Sequence, residues 1–255
     1  MLESWTTISV LAGITSKIKL GTMMTDIIYR YPSILAKIGA TLDVLSKGRL
    51  FMGIGAAWNE EESLAYGILF PSIKERFVRL EEAIQIIRKM WTDEPSSSFN
   101  GKYYQIKNAY CNPKPVQTPP IMIGGSGERQ TLRIVAKYAD ACNLFGSVET
   151  VKRKLSILKE HCRNVGRDYE SILKTKLGVV VIDDDKETAR KRLQQIIKVP
   201  EEQADEFAIY GSPEDVLKQK ESLEDAGIQY LIVDLDPSKE LEALDIFASE
   251  IIKKS

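Results

Sequence analysis

Apolar residues along this chain fall into two alternating patterns: short, nearly continuous runs, and longer stretches in which they recur every three or four positions. The short runs occupy residues 18–24, 50–56, 121–124, 140–145, 176–182 and 230–235. Runs without polar alternation are expected of strands covered on both faces of a parallel sheet. Between them, Ile73, Phe77, Leu80, Ile84, Ile87 and Trp91 make one helical stripe, and Val151, Leu155, Leu158, Cys162 and Val165 make another. Residues 2–15 and 130–137 also read as helical. Pro32 and Pro213 stand where a helix can begin, the latter behind Ser212 as an N-cap, and Ser46-Lys47-Gly48 reads as a helix exit. One stretch breaks the rhythm. Residues 95–120 are rich in Pro, Ser, Asn and aromatics, and Asn100-Gly101 carries a hairpin signature, which predicts a β-hairpin over 98–111 followed by an extended segment to Pro120.

A strand–helix alternation of this kind predicts an α/β fold, and 255 residues suit a single α/β barrel, whose usual size is about 250. A closed barrel needs eight strands, and the chain opens on a helix. The expectation is therefore one domain over 1–255, a (β/α) barrel without its first two strands, with an upstream extension supplying them.

Composition narrows the function. Lys plus Arg is 35 and Asp plus Glu 36, so neither nucleic acid nor an anionic membrane is an electrostatically favoured partner. No apolar run approaches a membrane span, and residues 1–5 carry no basic leader, which together with three scattered cysteines implies a reduced, cytoplasmic protein without disulfides. A single histidine, His161, argues against a His-rich metal site and against a Ser-His-Asp triad. Asp183-Asp184-Asp185 and Glu60-Glu61-Glu62 read as charge at helix starts. A chain this short of its own acid–base groups suits an enzyme whose cofactor supplies the chemistry.

Three strand ends are candidates to hold that cofactor. Gly53-Ile54-Gly55-Ala56-Ala57-Trp58-Asn59 runs off a strand, with small residues that let a planar ligand or a phosphate approach the backbone and with Asn59 as an N-cap. Ile123-Gly124-Gly125-Ser126-Gly127-Glu128-Arg129 offers backbone N–H groups at a helix start, which suits a phosphate, although it is neither a Walker loop nor a full dinucleotide fingerprint. Thr22, Met23 and Met24 could back a flat ring. Plain turns and core-filling methionines are the alternative reading of all three.

In this order, these segments resemble the luciferase-like monooxygenase superfamily, in its branch of coenzyme F420-dependent oxidoreductases. The resemblance is carried also by Arg30-Tyr31-Pro32, Leu42-Asp43-Val44-Leu45-Ser46-Lys47-Gly48-Arg49, Pro113-Lys114-Pro115, Tyr138-Ala139-Asp140 and Asp225-Ala226-Gly227. It implies a TIM barrel with an inserted segment where the hairpin falls, and hydride transfer between a deazaflavin and a small organic substrate. By resemblance, Gly55, Ala56, Ala57 and Asn59 border the deazaflavin and its tail, and Gly124, Gly125, Ser126 and Gly127 hold its phosphate. Thr22, Met23 and Met24 match a strand end that bulges behind the ring, often with a non-prolyl cis peptide. A homodimer is usual in the family. Two departures stand out: the family's first two strands, which carry an acidic residue and often a histidine beside the substrate, have no counterpart, and Ala56 stands where some members place a glutamate. Catalytic residues are therefore unassigned. The alternatives are an FMN-dependent monooxygenase of the same superfamily, and a non-catalytic flavin-binding protein.

Overall fold

A computed structural model describes residues 2–125, 127–235 and 240–252. Internal contacts divide the chain into two compact units, residues 1–141 and 142–255.

The first unit begins with helix α1 (Ser4–Ile14), capped by the Glu3 carboxylate, which accepts from the N–H groups of Trp5 and Thr6. Two short strands follow, β1 (Leu20–Gly21) and β2 (Thr25–Asp26), then α2 (Pro32–Ser46), β3 (Leu50–Gly55), α3 (Glu60–Ala65) and α4 (Ile73–Thr92). A hairpin of β4 (Ser97–Asn100) and β5 (Gln105–Ala109) precedes β6 (Ile121–Gly124) and α5 (Thr131–Tyr138). Both β1 and β2 pair parallel with β3, whose other edge pairs parallel with β6. Sequence alone predicted one strand over 18–24, and the structure corrects this. Leu20 and Gly21 oppose Leu50 and Phe51, whereas Thr25 and Asp26 oppose Ile54 and Gly55, so the β1–β2 segment spends one residue more than its partner. That is a bulge. Within it the Thr22 hydroxyl, not a backbone group, donates to the Gly53 carbonyl at 2.7 Å.

Side chains fix the layers around these strands. Arg49 donates to the carbonyls of Ala12, Thr15 and Ile18, closing the C-terminal end of α1. Helix α2 starts on Pro32 and ends with Lys47 in the left-handed region (φ 58°), followed by Gly48. It lies tightly against its neighbours: a Cβ on Gly39 would come 2.6 Å from the Met52 side chain, and Trp91 Nε1 donates to the Ala36 carbonyl at 2.9 Å. The buried Asp43 accepts from the N–H groups of Val116 and Gln117, which anchors the extended stretch before β6. The hairpin is shorter than 98–111. Its loop is held by Glu82, whose carboxylate accepts from the N–H groups of Lys102, Tyr103 and Tyr104.

The second unit contains β7 (Ala141–Leu144), α6 (Val148–Val165), β8 (Leu173–Ile182), α7 (Lys186–Ile196), α8 (Ala204–Phe207), β9 (Ala208–Gly211), α9 (Pro213–Asp225), β10 (Tyr230–Leu235) and α10 (Glu240–Ile246). β8 pairs parallel with both β9 and β10. The run predicted over 140–145 is trimmed at both ends; Asp140, just before the strand, donates its N–H to the Ile121 carbonyl while its carboxylate accepts from Ile121 N–H and pairs with Arg88. β8 begins three residues earlier than its apolar run, and β9 went unpredicted because four residues leave no periodicity to read. Ser212 and Asp215 form the capping box of α9, and Asp185 caps α7 by accepting from Glu187 and Thr188.

Candidate functional site

The bulge, the end of β3 and the end of β6 meet at one place in the first unit. Thr22 and Thr25 are buried, and a relay of hydrogen bonds runs through them: Trp5 Nε1 to Thr25 Oγ1 at 2.8 Å, Thr25 Oγ1 to Thr22 Oγ1 at 3.0 Å, and Thr22 Oγ1 to the Gly53 carbonyl. The Met23–Met24 peptide is cis. The Met24 side chain then lies over the glycines of the neighbouring strands. A Cβ on Gly53 would collide with the Thr22 carbonyl oxygen, and a Cβ on Gly124 would come 2.5 Å from Met24 Cγ. At Gly55 the nearest atoms to such a Cβ are Met24 Cβ at 3.7 Å and the Gly124 carbonyl at 4.0 Å. The glycines are thus of two kinds: Gly53 and Gly124 admit the bulge and its methionine, whereas Gly55 leaves space.

Beyond β3, Ala57 takes the left-handed region (φ 64°) and turns the chain so that Trp58 is 83 % exposed. Asn59 caps α3 by accepting from the Glu62 N–H at 3.1 Å, as its place in the sequence suggested. Beyond β6, Gly125 adopts φ 105°, a conformation that disfavours any side chain, and a Cβ there would meet nothing closer than Thr131 Cγ2 at 3.6 Å. The N–H groups of Gly125 and Gly127 make no hydrogen bond to any described group, and Gly127 accepts from Leu132 N–H as α5 begins. Ser126 lies outside the described residues. Of the residues singled out from sequence, Thr22, Met24, Gly55 and Gly124 are therefore neighbours, Met23 adjoins them, and Ala56, Ala57, Asn59, Gly125 and Gly127 continue the same two strand ends.

Sequence reading missed a polar cluster beside them. Asp26, in register with Gly55, is pushed up to about 6, chiefly by burial and further by the nearby Glu62, with Arg76 opposing. Arg76 is buried, lies with its guanidinium carbon 3.8 Å from the Phe70 ring centre, and has an Nε without a hydrogen-bond partner among the described residues. The available signal was an acid, Asp26, two residues beyond the 18–24 run.

Small cavities lie among the described residues of the second unit. One, of about 140 Å³, is walled mainly by apolar side chains, among them Phe145, Leu177, Val179 and Phe207, with Asp234 as its one carboxylate. Another, of about 170 Å³, contains the buried Lys176. Among the described residues no cluster of three His, Cys, Asp or Glu could hold a metal ion, and no helix is long and apolar enough to cross a membrane.

Parallel strands followed by helices, with glycines at the strand ends, form an arrangement of the α/β-barrel class. The likeness to solved structures agrees. The coenzyme F420-dependent tetrahydromethanopterin reductase from Methanopyrus kandleri superposes with a TM-score of 0.85 at 21% identity, over 99% of this chain and 88% of that one. An F420-dependent secondary alcohol dehydrogenase in complex with an F420–acetone adduct gives 0.87 at 21% identity, over 98% and 84%. The luciferase-like monooxygenase family model matches residues 1–204, and the chain belongs to that family. Among curated relatives, the F420-dependent hydroxymycolic acid dehydrogenase of Mycobacterium tuberculosis is 32% identical over 187 residues, 73% of this chain and 51% of the relative. The F420-dependent glucose-6-phosphate dehydrogenase of Amycolatopsis mediterranei is 36% identical over 126 residues, 49% of this chain and 36% of the relative. The chain thus spans about half the length, or less, of these two curated relatives.

Proposed function

We propose that this chain binds coenzyme F420 at the β3 and β6 strand ends and serves hydride transfer between the deazaflavin and a small organic substrate. The observation that carries the reading lies beyond β6, beside Gly55: the N–H groups of Gly125 and Gly127 have no partner among the described residues, shortly before α5, and neither glycine sets a side chain of its own against a phosphate. The F420-dependent relatives support the choice of cofactor.

When bound, the deazaflavin accepts or delivers the hydride. The protein's part is positional. Gly125 and Gly127 would hold the phosphate by backbone N–H groups, and Gly55, Ala56, Ala57 and Asn59 would border the ring and tail. Met24, seated on Gly53 and Gly124, would back the ring with a polarizable surface. The Trp5–Thr25–Thr22 relay keeps the bulge fixed, so the backing surface is set before the cofactor arrives. Ala56 offers no acid, and we assign no proton donor.

The test is a titration of the purified chain with oxidised coenzyme F420 and, separately, FMN, followed by cofactor fluorescence. Saturable binding of F420 with weaker binding of FMN supports the reading. Preferential FMN binding moves the chain to the oxygen-activating monooxygenases. Adding an alcohol to the F420 complex and following loss of deazaflavin fluorescence then tests turnover, whose absence would favour a non-catalytic cofactor-binding protein.

A further inference from the structure

Strand β8 turns unlike faces to its two sides. Lys174, Lys176 and Gly178 lie on one, whereas Leu177 and Val179 lie on the other and form a wall of the 140 Å³ cavity. Val179 and Ile197, a second wall residue, also pack against the buried cluster around Val181, Ala189 and Leu193, so this side of the cavity is backed by core. The apolar wall is not itself core. Leu177, Val179, Ile197 and Val199 are half-buried, and Phe207 is 38 % exposed. The cavity therefore opens to water, and its apolar surface stays wet until a ligand covers it.

Asp234 sets the polarity of the opening. β10 pairs with β8 so that Asp234 lies opposite Val179, and Ile232 opposite Leu177, which puts the carboxylate on the cavity face of the sheet. It follows Leu231, Ile232 and Val233 and precedes Leu235, so it breaks an otherwise apolar stretch of strand. No hydrogen bond or ion pair joins it to any described residue. The lysines of β8 lie on the opposite face of that strand and supply no counter-charge here. Asp234 is the one titratable residue among those lining the cavity, and it is exposed, so the charge stands at the mouth and the depth is apolar.

We propose that this cavity binds a small amphiphilic cation: an apolar body about the size of benzene, seated against Leu177, Val179 and Phe207, with an ammonium group at the mouth beside the Asp234 carboxylate. An apolar cavity of about this volume takes a benzene-sized molecule and is too small for a whole cofactor. The body covers the wet apolar wall, while the ammonium meets the carboxylate where water still reaches both, so neither charge carries the full cost of desolvation. An anion of the same shape would meet Asp234 as a like charge. The site lies entirely within residues 142–255 and does not depend on the coenzyme reading, which rests on the first unit.

The experiment is an amide-resolved NMR titration of the full chain at neutral pH with benzylamine, benzyl alcohol and benzoate, which share a ring and differ in charge. Saturable shifts at Val179, Phe207 and Asp234 are expected, with benzylamine about threefold to fivefold tighter than benzyl alcohol, and benzoate weaker still. Asp234→Asn should bring benzylamine and benzyl alcohol to within about twofold of each other, because it removes the charge and keeps the cavity. Val199→Trp is the second variant. It fills the cavity from a segment outside the helices and strands, so the fold is kept while all three ligands lose their binding. No saturable shift at these amides with benzylamine, an affinity for benzyl alcohol or benzoate equal to or above that for benzylamine, or a preference that Asp234→Asn leaves unchanged would overturn the proposal.

Discussion

The strand ends of the first unit and strand β8 of the second treat their buried polar groups in opposite ways. At β3 and β6 Gly55 and Gly125 leave space, Gly53 and Gly124 admit the bulge and its methionine, and the buried polar groups around them, Thr22, Thr25 and Trp5, are neutral and mutually satisfied. On β8 a charged group, the Lys176 ammonium, is buried beside Gly178, with Glu206 as an opposite charge acting on it. Backbone N–H groups cost little to bury when they sit at a turn open to solvent, and they read an anion by shape. A buried ammonium carries a desolvation penalty, which Glu206 offsets in part. The first region uses its buried polar groups to satisfy one another, whereas the second keeps a charge at a standing cost.

The largest effect that would sharpen this contrast lies at Gly53. Gly53→Ala drives a methyl into the Thr22 carbonyl, which is backbone and cannot swing aside, so a loss of about 3 kcal/mol in urea unfolding is expected. Gly124→Ala meets only the flexible Met24 side chain and should cost about 1 kcal/mol, with its main consequence a weaker fit for coenzyme F420. A stability loss at Gly124 as large as at Gly53 would show that the two glycines do the same job, contrary to the account. Ser147→Ala removes the cap of α6 and should lower stability by about 1 kcal/mol, measurable as a shift in Tm.

A smaller effect concerns Asp26. Its folded value of about 6 exceeds the ordinary 3.8, so the folded state holds a proton that the unfolded chain has released between those values. The penalty is absent below the lower value, grows between the two and is complete above the upper one. Asp26→Asn removes it, and the variant's Tm relative to the parent should be higher near pH 7 than near pH 4. Equal differences at the two pH values would contradict the burial argument.

Much of the fold was readable because burial on both faces leaves an unbroken apolar run, as in β3 and β6, and because caps such as Asn59, Ser212 and Asp185 act locally. The bulge was not readable from residues 18–24 themselves, since a one-residue slip against β3 is decided by the partner strand and by the Thr22 hydroxyl. Only the family resemblance pointed to it. The start of β8 was missed for a related reason. Lys174 and Lys176 look like solvent-facing residues until the Glu170 contact and the cavity behind Lys176 are seen. At the candidate site, the glycines announced the strand ends, whereas Asp26 and Arg76 depend on α3 and α4 folding over the end of β2.

The central claim, that the β6 turn holds a cofactor phosphate by its backbone, is tested most directly at Gly125. Coenzyme F420 affinity should be measured by fluorescence for the parent chain and for Gly125→Asp, with circular dichroism of both to confirm the fold. The carboxylate would stand against the phosphate and close the backbone to it, and the account predicts a loss of about a hundredfold or more in a folded variant. Unchanged affinity in a folded Gly125→Asp protein would contradict it.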